Sequence, residues 1–406
     1  MTSRFMLPAF TAYGIELEYV IVDAASLHVA PLAEPLLALL QEHRSQPALA
    51  EWSNELVSHV VEIKNPEPAS SLRALPEAFL REVRSANRAL EKLGARLMPS
   101  GMHPWMDPRR ETTLWQASDA PIYRTYDRLF DCRRHGWANL QSMHINLPFG
   151  DDAQFARLHT AIRLVLPLIP ALAASSPFAD GAATGHRDHR LAVYTTHASR
   201  FPAITGDVVP EVVGSRHEYE QKVLLPMYDA VADADPEGVL RHEWLNARGA
   251  IARFDRSAIE IRLADVQECP RADIAVAEAV CSVVQSLYEE RRSSAAQQAS
   301  VRTKRLSRLL ANTIRDGEDT IVDDVEYLLA LGVPTLPRRA GAVWRDLIAK
   351  DAKRENGIED ILSRVLAEGT LASRLFRRLG ETPARAHMRE VYSELCDCLH
   401  EGRLFC

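Results

Sequence analysis

Four stretches of this 406-residue chain alternate apolar and polar residues with a period of two, as strands buried on one face do. In Gly14–Val22, Ile15, Leu17 and Tyr19 fall on one side, and Glu16 and Glu18 on the other. The run Glu55–Lys64, stopped by Asn65-Pro66, sets Val61 and Ile63 opposite Glu62 and Lys64. Ser142–Pro148 separates Met143, Ile145 and Leu147 from Ser142, His144 and Asn146. Ile259–Leu263 separates its aliphatic residues from Glu260 and Arg262. Helical spacing governs most of the remainder. Pro35–Arg44 predicts a short helix, and residues 71–97, with Leu72, Leu75, Phe79, Leu80, Val83, Ala86, Leu90 and Leu93, predict a long one. Residues 151–174 predict an apolar helix interrupted near Pro167 and Pro170. From Ala272 onward the pattern is almost wholly helical, with a break at Gly332–Pro337. Residues 98–120 and the charged Gly185–Arg190 predict loops. The segments holding Tyr194, Arg200 and Arg216 are too polar and too interrupted by Pro and Gly to assign.

Two carboxylates about 7 Å apart on one strand repel each other unless solvent or a cation screens them, so Glu16 and Glu18 alone predict a solvated edge. Four such strands side by side would build something else: a polar floor over an apolar core, holding at least three carboxylates, an imidazole and a guanidinium. That donor set suits Mg²⁺ or Mn²⁺ better than zinc. An arginine among metal-binding glutamates makes sense when the ligand is a phosphate gripped from both sides. Arg248, Arg253 and Arg256 are further cationic candidates, and the whole set fits phosphoryl transfer. In the 98–120 loop, His103, Trp105 and Trp115 fit a pocket lining and a packed surface loop equally well. His186 and His189 are poor metal ligands, given the arginines beside them.

Composition narrows the class. The chain is 47% hydrophobic and 25% charged, enough to bury a large core in one domain or two. A net charge of −7 leaves no footprint for nucleic acid, and no apolar run is long enough to span a membrane. The stretch Met1–Pro8 lacks the pattern of a signal peptide. The six cysteines form no framework, Cys396 and Cys398 being spaced C-x-C, so a reduced cytoplasmic protein is expected. The P-loop, G-x-G-x-x-G, H-E-x-x-H and G-x-S-x-G motifs are all missing.

In order along the chain, Gly14-Ile-Glu-Leu-Glu18, Val61-Glu-Ile63, Met102-His-Pro104, His144, Ala174-Ser-Ser-Pro-Phe-Ala-Asp-Gly181 and Ala258-Ile-Glu-Ile-Arg-Leu-Ala-Asp265 resemble the second glutamate–cysteine ligase family, which includes bacterial carboxylate–amine ligases. The resemblance covers roughly residues 10–290. It implies an α+β, glutamine synthetase-like fold: a curved, mainly antiparallel sheet forming an open funnel, backed by helices. It divides the chain into a catalytic domain at 1–290 and a helical C-terminal region at 291–406. It also implies ATP and Mg²⁺ (or Mn²⁺) as cofactors, small-molecule substrates (an amino acid and an amine), and a γ-glutamyl type of amide bond made through an acyl phosphate. A homo-oligomer is left open.

By the same resemblance Glu16, Glu18, Glu62, His144 and Glu260 would hold metal, Arg262 and Glu62 would serve catalysis, His144 and Arg262 would meet the nucleotide, and Arg190 would meet the substrate. From the residues themselves, Arg248 is expected to serve catalysis, Arg253 and Arg256 to meet the nucleotide, and His103, Trp105 and Tyr194 to meet the substrate. Ser142 stands where many relatives have histidine, Ser58 where several have an acid, and Asn65-Pro66 where small or hydroxyl residues are usual. These departures bear on the substrate more than on the metal set. Two other classes remain: a metal-dependent amide hydrolase, against which Arg262 argues, and a non-catalytic nucleotide- or amino-acid-binding relative, against which the retained carboxylates argue.

Overall fold

The structure, a computed structural model, describes residues 6–42, 49–118, 120–351 and 358–406. Its hub is the ten-residue strand β1 (Gly14–Asp23). Around it lie β2 (Glu51–Asn54), β3 (Val60–Lys64), β4 (Ala95–Met98), β5 (Ser142–Pro148), β6 (Ala250–Arg253) and β7 (Ala258–Asp265). They form one open sheet of order β2-β3-β1-β5-β7-β6, and every pairing is antiparallel. β1 is long enough to serve two neighbours in succession: β5 pairs with Gly14–Leu17 and β4 with Val20–Asp23. This is the α+β architecture expected, a mainly antiparallel sheet backed by helices.

Alternation decides what each face of β1 meets. Ile15, Leu17, Tyr19 and Ile21 are buried in the main core, beneath helices Leu75–Glu91, Asp152–Val165 and Pro270–Tyr288. The opposite face divides along its length. Its first half carries Glu16 and Glu18, and its second half carries Val20 and Val22, which join a separate apolar cluster with Leu371, Leu375, Val391 and Leu395. Helices Leu371–Leu379 and Arg385–Glu401 thus cover the far end of the face that bears the carboxylates.

Two expectations need correction. The pattern over 71–97 does not make one helix: a 3-10 turn at Leu72–Ala74 leads into helix Leu75–Glu91, Gly94 (φ 70°) ends it, and Ala95–Met98 is a strand. The second half of β1 needs a partner, and Leu97, whose N–H donates to Asn87 Oδ1 at 2.9 Å, is drawn into the sheet. Residues 55–59 are not strand; Ser58 N donates to the Thr113 carbonyl at 2.8 Å, turning the chain out of the sheet before β3. Tyr194, left unassigned by its pattern, ends helix His189–Tyr194, which Asp188 caps through the Leu191 N–H. The helix expected at Pro35–Arg44 is present as Ala33–Glu42, with residues 43 and 44 outside the described ones. The breaks near Pro167 and at 332–337 fall between helices as expected.

His159, on helix Asp152–Val165, is 1% exposed, lies between Phe155 and Tyr219, and has no hydrogen-bond partner for either ring nitrogen among the described residues. Burial, helped by the charges of Arg163 and Arg248, pushes its imidazole down to about 3. Below the ordinary value the unfolded chain takes up a proton that the folded chain refuses, so stability falls with pH by about 1.4 kcal/mol per unit from this group. Urea unfolding at pH 7 and pH 5 should show His159→Phe losing about 2 kcal/mol less than the parent over that interval. Equal losses would show that His159 does not stay neutral.

Candidate active site

The four strands predicted to share a polar floor do share one. In the register Glu18 lies opposite Glu62, Glu16 opposite both Lys64 and His144, and Asn146 opposite Glu260. Alternation therefore collects Glu16, Glu18, Glu62, His144, Glu260 and Arg262 above the core. His144 is the centre: its Nδ1 lies 3.1 Å from Glu16 and 3.8 Å from Glu260, and its Nε2 lies 3.9 Å from Glu18. Ser142, between them, donates its backbone N–H (2.6 Å) and its hydroxyl (2.9 Å) to Glu18, and its Oγ also lies 2.9 Å from His144 Nε2. The serine thus fixes both a carboxylate and the imidazole.

Two groups of three ligands have donor atoms within 4.8 Å of one another: Glu16, Glu62 and His144, and Glu18, Glu55 and Glu62. Glu62 belongs to both. Burial, then the charge of Glu16, raises Glu62 to about 7, although Lys64 donates to it at 2.6 Å. Burial, then the charges of Glu62 and Glu18, raises Glu55 well above the carboxylate range. Burial works the same way on Glu16, but His144, Lys64 and Arg256 outweigh it and hold Glu16 low. Carboxylates this close and this buried are stable together only with compensating positive charge, and hard oxygen ligands with one imidazole suit Mg²⁺ or Mn²⁺. The donor set fits such an ion.

Glu55 was not foreseen. A strand running through 55–59 would turn it away from Glu62. The departure of those residues from the sheet swings it over the floor instead, a signal carried by the Thr113 contact and not by local periodicity.

Beyond the floor the expected residues separate into two groups. Arg253 meets Glu260 at 3.2 Å and Asp255 at 3.2 Å, and the half-exposed Arg256 lies 4.0 Å from Glu16. These two stand at the β6 side. Arg262, held to Glu260 at 2.8 Å yet 24% exposed, faces a cleft of about 300 Å³ that also includes Arg190, Tyr194, Glu18, Glu55 and His144. Arg190 is paired with the fully buried Asp265, whose other oxygen accepts from Ser175 N (2.8 Å) and Ser176 Oγ (2.7 Å). A Cβ on Gly101 would collide with that carboxylate, which accounts for the glycine.

Three expected site residues lie elsewhere. His103 is fully buried with Nε2 on the Leu27 carbonyl at 2.8 Å, and Trp105 packs edge-on against Tyr392 under Arg385. Neither lines the cleft, because the C-terminal helices cover that end of the sheet. Arg248 donates from Nε and Nη2 to Glu211 (2.7 Å each) and from Nη1 to the carbonyl of Ala203, and it also lies outside the cleft. Sequence position suggested proximity for all three. Their partners come from segments too distant in the chain to be inferred from it.

Comparisons with known proteins bear on the family and the fold. The sequence profile described as glutamate–cysteine ligase family 2 matches residues 12–397. An uncharacterised protein of Archaeoglobus fulgidus is 29% identical over 351 residues, covering 86% of this chain and 87% of that one. A protein of Rubrobacter xylanophilus, provisionally named glutamate–cysteine ligase 2-3, is 29% identical over 300 residues, 71% of this chain and 73% of its own. Among solved structures, a glutamate–cysteine ligase of Francisella tularensis in complex with AMP superposes with a TM-score of 0.59 at 12% identity, covering 96% of this chain and 88% of that one. A bifunctional glutathione synthetase of Pasteurella multocida gives 0.60 at 12% identity over 97% of this chain, which spans about half (53%) of that protein's length. These two share the fold. With a family match over nearly its whole length, the chain belongs to glutamate–cysteine ligase family 2 and is a ligase.

Proposed function

We propose that this protein is an ATP- and Mg²⁺-dependent carboxylate–amine ligase. The observation that carries the reading is the pair of ligand groups sharing Glu62, with Arg253 and Arg256 on one side and the Arg262 cleft on the other. Glu16, Glu62 and His144 would hold one divalent cation, and Glu18, Glu55 and Glu62 a second, with Glu260 fixing His144 and Arg262 between them. Bound there, divalent ions neutralise triphosphate oxygens and so favour displacement at the γ-phosphorus. The AMP carried by the Francisella protein supports a nucleotide substrate on this fold.

In this reading a carboxylate oxygen of the donor acid attacks the γ-phosphorus. The bond to the β,γ-bridging oxygen breaks, ADP leaves, and an acyl phosphate remains. A neutral amine then attacks the acyl carbon, inorganic phosphate leaves with the bonding pair, and the nitrogen gives up a proton. Arg262 stabilises the charge on the phosphoryl oxygens as it passes from one oxygen to the other. Arg253 and Arg256 meet the rest of the triphosphate, and Tyr194 and Arg190 border the donor acid. Ser142 keeps Glu18 and His144 in place throughout. Residues 1–290 supply these groups, and the helices of 291–406 close one end of the face. No helix among the described residues is long and apolar enough to cross a membrane.

With Mg-ATP, ADP release should require both an acid and an amine. Amide cleavage without nucleotide would favour the hydrolase, and calorimetry without nucleotide binding would favour the binding relative. Glu62→Gln should lower ADP release by at least about a hundredfold, yet melt at the same temperature or higher without divalent ions, since a like charge is removed from the floor. Full turnover in that variant would dismiss the shared-ligand assignment. Arg262→Lys keeps the charge but loses the planar fork, and should cut kcat by about 10²-fold with little change in KM for ATP. An effect on KM alone would make Arg262 a ground-state contact.

A further inference from the structure

The cleft beside Arg262 has a wall of rings. Tyr194 stacks on His197 with centroids 4.5 Å apart, and His197 meets Trp137 at 4.6 Å. Trp137 meets Tyr126 at 5.2 Å, and Tyr126 meets Trp244 at 5.8 Å. Five rings from four separate segments thus form one continuous surface, extended by Leu56 and Val57. The surface carries no net charge, since burial pushes the His197 imidazole down to about 4. Among the described residues lining the cleft, the acids are Glu18 and Glu55, and both belong to the metal-ligand set on the floor.

The cations divide in a way that matters for the ligand. Arg190 is 2% exposed and committed to Asp265, which leaves Arg262 as the guanidinium with surface free towards the cleft. A glutamate reaching the floor with its γ-carboxylate would lay its ammonium and second carboxylate against rings. Beyond Glu18 and Glu55 on the floor the ammonium would find no acid there, and the two charges would lose water for neutral groups such as the Tyr194 hydroxyl. A planar apolar group in the same place would bury its faces against rings arranged edge-on and tilted, and would need a charged partner only for its carboxylate.

We propose that the cleft seats a carboxylic acid with an aryl or aralkyl body, its carboxylate towards Arg262 and its ring against Tyr126, Trp137 and Trp244. For the fate of the acid, though not for its binding, this rests on the ligase reading. Activation and transfer then follow the course already given: the acid's oxygen displaces ADP from ATP, and an amine displaces phosphate. The aromatic wall selects the acid.

The test separates binding from turnover. Calorimetry on the full chain with Mg²⁺ should show 3-phenylpropionate binding at least about tenfold more tightly than glutamate. Trp244→Ala should weaken 3-phenylpropionate by about tenfold and leave glutamate unchanged, with Trp244→Phe restoring most of the loss. Glutamate binding as tightly as the aryl acid, or no heat from the aryl acid, overturns the proposal, and the unsubstituted protein suffices for that comparison. In parallel, Mg-ATP and hydroxylamine should convert the aryl acid to its hydroxamate with one ADP released per hydroxamate formed. Tight aryl-acid binding without ADP release would uphold the aromatic seat and remove the ligase reading instead.

Discussion

Glu62 lies opposite Glu18 in the register and next to Glu16 and Glu55, in a place where burial alone already opposes its charge. Much else in the structure can be traced to that crowding. Lys64 and Ser53 approach Glu62, Ser142 and His144 fix Glu18 and Glu16, and Arg253 and Arg262 flank Glu260. Each contact offsets part of the repulsion, yet Glu62 and Glu55 remain raised, so the floor still lacks positive charge. A protein that kept these groups for stability alone would do better with apolar residues. They fit the cation-binding role proposed above, with the ligand groups already held in place by their neighbours.

The same sheet explains why chemistry and support sit on one face without interfering. Two residues beyond Glu18 the face of β1 turns apolar, and Val20 and Val22 vanish under helices Leu371–Leu379 and Arg385–Glu401. Those helices also bury Trp105, and the loop before Trp105 passes so close to Asp265 that only glycine fits at position 101. Asp265 in turn holds Arg190, the Ser175 backbone N–H and the Ser176 hydroxyl. The C-terminal region is therefore connected to the cleft through packing and one buried ion pair, even though it contributes no group to the floor.

The departures from the family pattern acquire a physical content at this level. Ser142 supplies two hydrogen bonds to Glu18, and Glu55 joins Glu18 and Glu62 in a group of three carboxylates close enough to share a cation. The Ser58 backbone turns the chain that carries Glu55. The ring wall has no counterpart in any local motif. Tyr126 comes from one helix, Trp137 from a second, Tyr194 from a third, and Trp244 from a 3-10 turn far along the chain.

Period-two alternation was enough to place Glu16, Glu18, Glu62, His144, Glu260 and Arg262 on one face of strands, because in a strand the face of a side chain is a property of the backbone itself. The ordered motifs were enough for the family. Alternation could not say that β4 would pair with the second half of β1, that 55–59 would leave the sheet, or that Arg248, His103 and Trp105 would be spent on distant partners. Those outcomes depend on contacts between segments tens to hundreds of residues apart, whose strength is set by which surfaces meet after folding and not by local spacing. The sequence by itself determined the floor; the tertiary structure decided its fifth carboxylate and the aromatic wall above it, because both are assembled across loops that carry no periodicity.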